Sequence, residues 1–258
     1  MNQFSRNVLT FGREGQARLH QSSVMVVGLG GVGSYAVEAL VRSGIGRLIL
    51  VDKDRIDITN MNRQLHATLD TVGKYKCDVM KERILSIYPE CQVITYPNFL
   101  NEETLPAILA EPVDFIIDAI DTVSCKFLLI KECLMRQIPF ISVMGAANKL
   151  DPTQFEITDL FKTSYDPVAR VLRAMFRKAK VQGKIPVVAS KEPPLIAKYD
   201  EYDGERPNDS LKSKYPPASN AFVPPVAGLI AASYAIQQLI KDIPIPRKSP
   251  ISTKTKKG

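Results

Sequence analysis

The sequence predicts an α/β protein built on a doubly wound, mostly parallel sheet, with a basic C-terminal extension. Three observations predict it. Short apolar runs alternate with stretches of helical periodicity along the first 145 residues. A glycine-rich turn, Gly28-Leu29-Gly30-Gly31-Val32-Gly33, joins the first such run to the first such stretch. Carboxylates, Asp52 and Asp118, close two of the runs, where open α/β sheets bind ligands.

The elements follow in order. Residues 24–27 are apolar and end at Gly28, as a strand buried on both faces does. Tyr35, Val37, Ala39, Leu40 and Val41 mark a helix that ends near Gly44. Residues 47–51 give a second strand, with Asp52 at its end, and residues 73–87 a helix ended by Pro89. Strands follow at 92–96 and 115–119, then a helix over 123–136 and a strand at 139–143. Beyond Gly145 the pattern changes. A strand is expected at 154–157 and a helix over 167–180, where Leu172, Met175, Phe176 and Ala179 share an apolar face. Arg170, Arg173 and Arg177 lie on another face. Residues 191–219 are rich in Pro, Lys, Asp and Ser and read as a long mobile loop or crossing segment. Residues 225–240 form a last apolar helix. The expected organisation is a core over 1–160, an extension over 161–245 that completes the same domain, and a disordered tail over 246–258.

Composition narrows the function. At 258 residues, 45% hydrophobic and 24% charged, the chain suits one globular α/β domain. No apolar run is long enough to span a membrane, and the N-terminus lacks a secretory pattern, so a cytoplasmic location is expected. Cys77, Cys91, Cys125 and Cys133 include no C-x-x-C pair, which argues against a zinc knuckle. Two histidines, His20 and His66, argue against a His-rich metal site. Net charge is +7 but uneven. Residues 1–161 carry 16 Lys and Arg against 19 Asp and Glu, a balance of −3, and residues 162–258 carry 18 against 8, a balance of +10. Such asymmetry suggests a polyanionic partner.

The motifs carry the chemistry. In the glycine-rich turn, Gly28, Gly30, Gly31 and Gly33 let a phosphate approach backbone N–H groups at a helix N-terminus. Asp52 is placed to accept hydrogen bonds from ribose hydroxyls. That much reads by default as a nicotinamide site. The segment after the second strand changes the ligand. Asn60, Arg63 and Gln64 in Asn-Met-Asn-Arg-Gln supply donors that ATP phosphates need and a nicotinamide ring does not. Lys76 adds a point charge. Asp121, in Asp118-Ala119-Ile120-Asp121, is a candidate Mg²⁺ ligand, with Asp118 as the second choice.

In this order, the glycine-rich turn, Asp-x-Asp, Asn-x-x-Arg-Gln, Val-Gly-x-x-Lys and Asp-x-x-Asp resemble the ubiquitin-activating-enzyme-like, ThiF-type adenylating superfamily. The resemblance implies a Rossmann-like homodimer that binds ATP and Mg²⁺ and adenylates a carboxylate. It implies that Asp54, Asn60, Arg63, Gln64 and Lys76 line the phosphates and that Asp121 holds the metal. Arg6 is similar to the arginine the superfamily sends into its partner's site. Members that activate sulfur carriers usually have two C-x-x-C pairs, absent here, and no cysteine after Cys133 could form a thioester.

Asp151-Pro152-Thr153-Gln154, Ile157-Thr158-Asp159-Leu160 with Lys162-Thr163, Arg170-Val171-Leu172-Arg173 and Phe222 to Gly228 are similar to stretches of the tRNA threonylcarbamoyladenosine dehydratases. The resemblance implies dehydration of that nucleoside in tRNA through a carboxyl adenylate. It gives Arg170, Arg173, Arg177, Lys178, Lys180 and Lys184 a role on tRNA phosphates, names Tyr165 and Phe222 as candidates to stack on the base, and leaves room for a sulfur-relay protein partner. The rival readings are an adenylyltransferase for a ubiquitin-like sulfur carrier, a nucleotide-binding scaffold and an NAD oxidoreductase.

Overall fold

The computed structural model describes residues 2–201 and 217–247. Seven strands form one sheet in the order β3-β2-β1-β4-β5-β7-β6. They are β1 (Ser23–Val27), β2 (Arg47–Val51), β3 (Gln92–Tyr96), β4 (Phe115–Asp118), β5 (Phe140–Val143), β6 (Phe155–Asp159) and β7 (Pro186–Ser190). All neighbouring pairs are parallel except β6 and β7. The order reverses between β1 and β4, so a crevice opens beyond their C-terminal ends.

Helices α1 (Ser5–Gln21), α2 (Gly33–Arg42), α3 (Lys76–Ile87), α4 (Leu105–Ile108), α5 (Val123–Arg136), α6 (Pro167–Ala179) and α7 (Val223–Leu239) flank the sheet. Two buried clusters result, one on each face. Val26, Leu40, Leu50, Met80 and Ile117 pack with Ala227, Ala231 and Ala235 of α7. Met25, Ile49, Ile116, Leu129 and Ile130 pack with Leu172 and Phe176 of α6. Central strands buried on both sides explain their unbroken apolar runs.

Three of these elements lie outside the sequence expectations: α1, the single-turn α4 and β7. The N-terminal helix α1 is polar on average and broken at Gly12, whose φ is +73°, and it is held to the core by Phe11 and Leu19. Strand β7 begins with a proline and follows a basic, glycine-containing stretch. Its pairing partners, β5 and β6, supply what its own five residues do not. The helix expected from residue 73 starts at Lys76, after an extended Tyr75. Of the segment 191–219, residues 202–216 lie outside the described residues, as do 248–258 of the expected tail. The described flanks are tied to the body: Leu195 N–H donates to the Asn148 carbonyl, and Asn148 N–H donates to that of Ala218. No helix among the described residues is long and apolar enough to cross a membrane.

Candidate active site

The crevice is a cavity of about 1230 Å³. At one end β1 passes into α2 through the glycine-rich turn. Gly28 has a φ of +91°, and a Cβ there would lie 2.6 Å from the Ala119 carbonyl oxygen of β4's following loop. A Cβ on Gly33 would lie 1.8 Å from the Gly28 carbonyl oxygen, so the turn closes only with glycine. The C-terminal helix braces it from outside. Gly228 of α7 lies against the Val32 carbonyl, where a Cβ would come within 2.1 Å, and Pro224 lies against Gly31. The Phe222–Gly228 stretch is thus part of the phosphate turn's support.

Asp52, its side chain 8% exposed, stands at the end of β2. Its carboxylate accepts from the N–H groups of Leu29 (2.6 Å) and Asp54 (2.8 Å), which ties the turn to the strand. Burial nevertheless raises its pKa, against the charge of Lys76. Lys76, 5% exposed at the start of α3, donates to Asp54 at 2.9 Å and lies 3.8 Å from Asp52. Arg63 follows a short 3₁₀ turn, Ile58–Asn60, capped by Asp57. Its guanidinium donates to the Thr59 carbonyl (3.0 Å) and to the Asn62 side-chain oxygen (2.8 Å). Burial lowers its pKa, and the charge of Asp121 across the cavity raises it. Gln64 is 6% exposed, and its side-chain oxygen has no partner among the described residues. The Asn60 side-chain oxygen accepts from Asp57 N–H, which leaves its amide nitrogen for a ligand.

Gly28, Gly30, Gly31, Asp52, Asp54, Asn60, Arg63, Gln64, Lys76 and Asp121 line this one cavity. Gly33 sits beneath it. Arg6 is exposed on α1 and does not line the cavity of its own chain. Asp118 is corrected as a metal ligand. It is 1% exposed, bonded to Lys126 Nζ (2.8 Å) and Ser142 Oγ (2.6 Å), and accepts from Ile120 N–H (3.1 Å). It shapes the loop that carries Asp121 instead. Asp121 is exposed and forms no ion pair among the described residues.

Part of the cavity lining carries no nucleotide motif. Asn148, Lys149 and Tyr199 belong to it, together with Gly145 and Pro194. Asn148 and Lys149 lie just before the Asp-Pro-Thr-Gln stretch, separated from it by Leu150, and that stretch is the signal that could have found them. Tyr165 (64% exposed) and Phe222 (45% exposed) are not in the wall. On the basic surface, Arg170, Lys178, Lys180 and Lys184 are exposed. Arg173 is turned inward to the Thr163 hydroxyl and carbonyl, and Arg177 lies over the Phe161 ring at 5.7 Å.

Comparison with known proteins agrees with this geometry. The model of the ThiF family matches residues 4–255. A tRNA threonylcarbamoyladenosine dehydratase of Bacillus subtilis is 52% identical over 250 residues, 96% of this chain and 98% of its own. The crystal structure of the Escherichia coli tRNA N6-threonylcarbamoyladenosine dehydratase with ATP superposes with a TM-score of 0.83 at 34% identity, covering 93% of this chain and 94% of that one. A more distant relative, an adenylyltransferase and sulfurtransferase of Drosophila virilis, is 35% identical over 57% of this chain and 32% of its own. The family model's span and the near-complete match to the Bacillus subtilis protein establish that this chain belongs to the ThiF family, among its tRNA threonylcarbamoyladenosine dehydratases.

Proposed function

We propose that this chain dehydrates threonylcarbamoyladenosine in the anticodon loop of tRNA, with ATP as the activating reagent. The observation that carries the reading is one cavity lined by the nucleotide-binding set and also by Asn148, Lys149 and Tyr199, which belong to no nucleotide motif. Its 1230 Å³ exceeds the roughly 300–1,000 Å³ of an ordinary small-molecule site, so a second reactant fits beside ATP.

The chemistry follows from this lining. Gly30 and Gly31 let the phosphates approach the α2 N-terminus, and Asp52 accepts from the ribose. Arg63 and Lys76 hold the β- and γ-phosphates and stabilise the charge that develops on pyrophosphate. A threonyl carboxylate oxygen attacks the α-phosphorus, forming the acyl adenylate as pyrophosphate leaves. An internal nitrogen or oxygen of the carbamoyl group then attacks the acyl carbon, the group releases an N–H proton, and AMP is expelled. Two reacting groups on one nucleoside make closure fast by proximity.

No protein nucleophile is required. Burial raises all four thiols, Cys77 and Cys91 to about 12, which disfavours a thiolate near neutral pH. This speaks against the sulfur-carrier adenylyltransferase that passes its product to a cysteine. The donor set fits Mg²⁺ held by one carboxylate and phosphate oxygens, with Asp121 as that carboxylate. When bound, the ion neutralises phosphate charge. Because Arg6 is exposed and remote from its own cavity, it serves in this reading as the arginine delivered to the other site of a homodimer. Exposed Arg170, Lys178, Lys180 and Lys184 meet tRNA phosphates, with Arg173 and Arg177 holding the helix that presents them. A tRNA substrate puts the chain in the cytoplasm, where a sulfur-relay protein is a further candidate partner.

The test measures AMP and pyrophosphate release from ATP and Mg²⁺, with and without tRNA bearing threonylcarbamoyladenosine. Release that requires the modified tRNA, with a nucleoside mass loss of one water (about 18 Da), is expected. Pyrophosphate exchange driven by a carrier protein, and none by tRNA, would move the chain to the sulfur-carrier branch.

A further inference from the structure

Three lysines are buried among the described residues, and they differ in one respect. Lys126, 1% exposed, is paired with Asp118 at 2.8 Å. Lys76, 5% exposed, is paired with Asp54 at 2.9 Å. Lys149, 3% exposed, has no carboxylate within 4.0 Å among the described residues. Its ammonium donates to the main-chain carbonyl of Glu192 at 2.8 Å, which leaves two of its three N–H donors. Lys149 also lines the cavity, outside the glycine-rich turn and the segment 60–64.

The nearest acids are already committed. Asp166 accepts from the N–H groups of Gly145 (2.9 Å) and Ala169 (2.8 Å), capping α6. Glu192 accepts from those of Leu150 and Asp151 (2.9–3.1 Å). Their charges act on Lys149 from a distance, and burial still lowers its pKa. A buried cation without a counter-ion is costly, and an arriving anion removes that cost. The surroundings hold it firmly in place. Asn148, at a φ of +56°, exchanges two hydrogen bonds with Ala218, and Asn220 donates to the Lys149 carbonyl at 2.9 Å. By contrast, Lys198 in the same wall is 75% exposed at its side chain and paired with Glu201.

From this geometry we propose that Lys149 is the counter-ion of the substrate's carboxylate and the residue that selects an acid over its neutral analogues. The inference rests on the dehydratase reading, in which a carboxylate must be brought to ATP. Lys149 pairs with one carboxylate oxygen and leaves the other free to attack.

The test compares two ligands on the full chain without ATP: tRNA bearing threonylcarbamoyladenosine, and the same tRNA with that carboxylate masked as a methyl ester. The protein should bind the acid about tenfold more tightly or better, the range of a charge-assisted hydrogen bond. Lys149→Met should bind acid and ester equally while its ATP affinity stays unchanged, and Lys149→Arg should keep a preference for the acid. A Lys149→Met protein that retains the wild-type preference overturns the proposal, as does a wild type with no preference. So does joint loss of ATP and tRNA binding in Lys149→Met, which would make the lysine structural. Failure of the dehydratase reading is seen separately, as wild-type protein that releases no AMP with the acid tRNA.

Discussion

The two walls of the cavity both carry a buried lysine, in opposite electrostatic settings. On the nucleotide wall, Lys76 and Lys126 are neutralised by Asp54 and Asp118, and the backbone is locked by close glycine contacts. On the opposite wall, Lys149 lacks a paired acid, and the chain is stitched together by hydrogen bonds among residues 148–150, 192–195 and 218–220. The difference teaches that the buried lysines of the nucleotide half are paired before its ligand arrives. The other half keeps one charge for its ligand to satisfy.

The sharpest way to break the completed wall is Lys126→Met. It leaves the Asp118 carboxylate, 1% exposed, without its cation. About 3–5 kcal/mol of stability should be lost in urea unfolding, and loss of less than about 1 kcal/mol would mean that Asp118 is protonated or hydrated. Arg63→Ala comes next. Removing the phosphate donor should slow pyrophosphate release by about 10²–10³-fold and leave tRNA retention largely intact, and near-normal turnover would take Arg63 out of the reaction.

His66 tests the same wall by pH. It is 3% exposed, neither ring nitrogen has a partner among the described residues, and burial beside Lys76 and Arg83 lowers its pKa to about 4. The folded value lies below the unfolded value of about 6.5. Its contribution is therefore full above that value and is lost as pH falls towards 4, by roughly 3 kcal/mol. His66→Leu should flatten this acid limb in urea midpoints and change stability at pH 7 little. An unchanged limb would assign the acid sensitivity to other groups.

The smallest effect is expected outside the cavity. Arg170, Lys178 and Lys184 are three of the exposed cations of this surface; Arg173 is engaged with Thr163, and Arg177, also exposed, lies over the Phe161 ring. Changing the three exposed residues to alanine should weaken tRNA binding and reduce its salt slope by about 0.7–0.9 per lost phosphate contact. An unaltered slope would move the tRNA path off this surface.

Much of the nucleotide wall was legible because local rules write it. A glycine that must accept a φ of +91°, a carboxylate closing a strand and a cation opening a helix are each visible within a few residues. Asp118 and Asp121 were not separable in this way. One ends an apolar strand and the other follows it by three residues, and only the positions of Lys126 and Ser142 show that the first is buried and paired. Strand β7 was missed for a related reason, since its five residues gain their role from β5 and β6 on either side.

By itself, the sequence determined the alternation of strands and helices, the phosphate turn and the type of ligand it takes, because periodicity and backbone restriction act over short stretches. Only the tertiary structure decided which charges are paired. It brought Gly228 against Val32, Asn148 against Ala218 and Lys149 onto the Glu192 main-chain carbonyl, with no carboxylate within 4.0 Å of its ammonium among the described residues. Pairing depends on distances of a few ångströms between residues far apart in the chain, and burial sets how much each pair is worth.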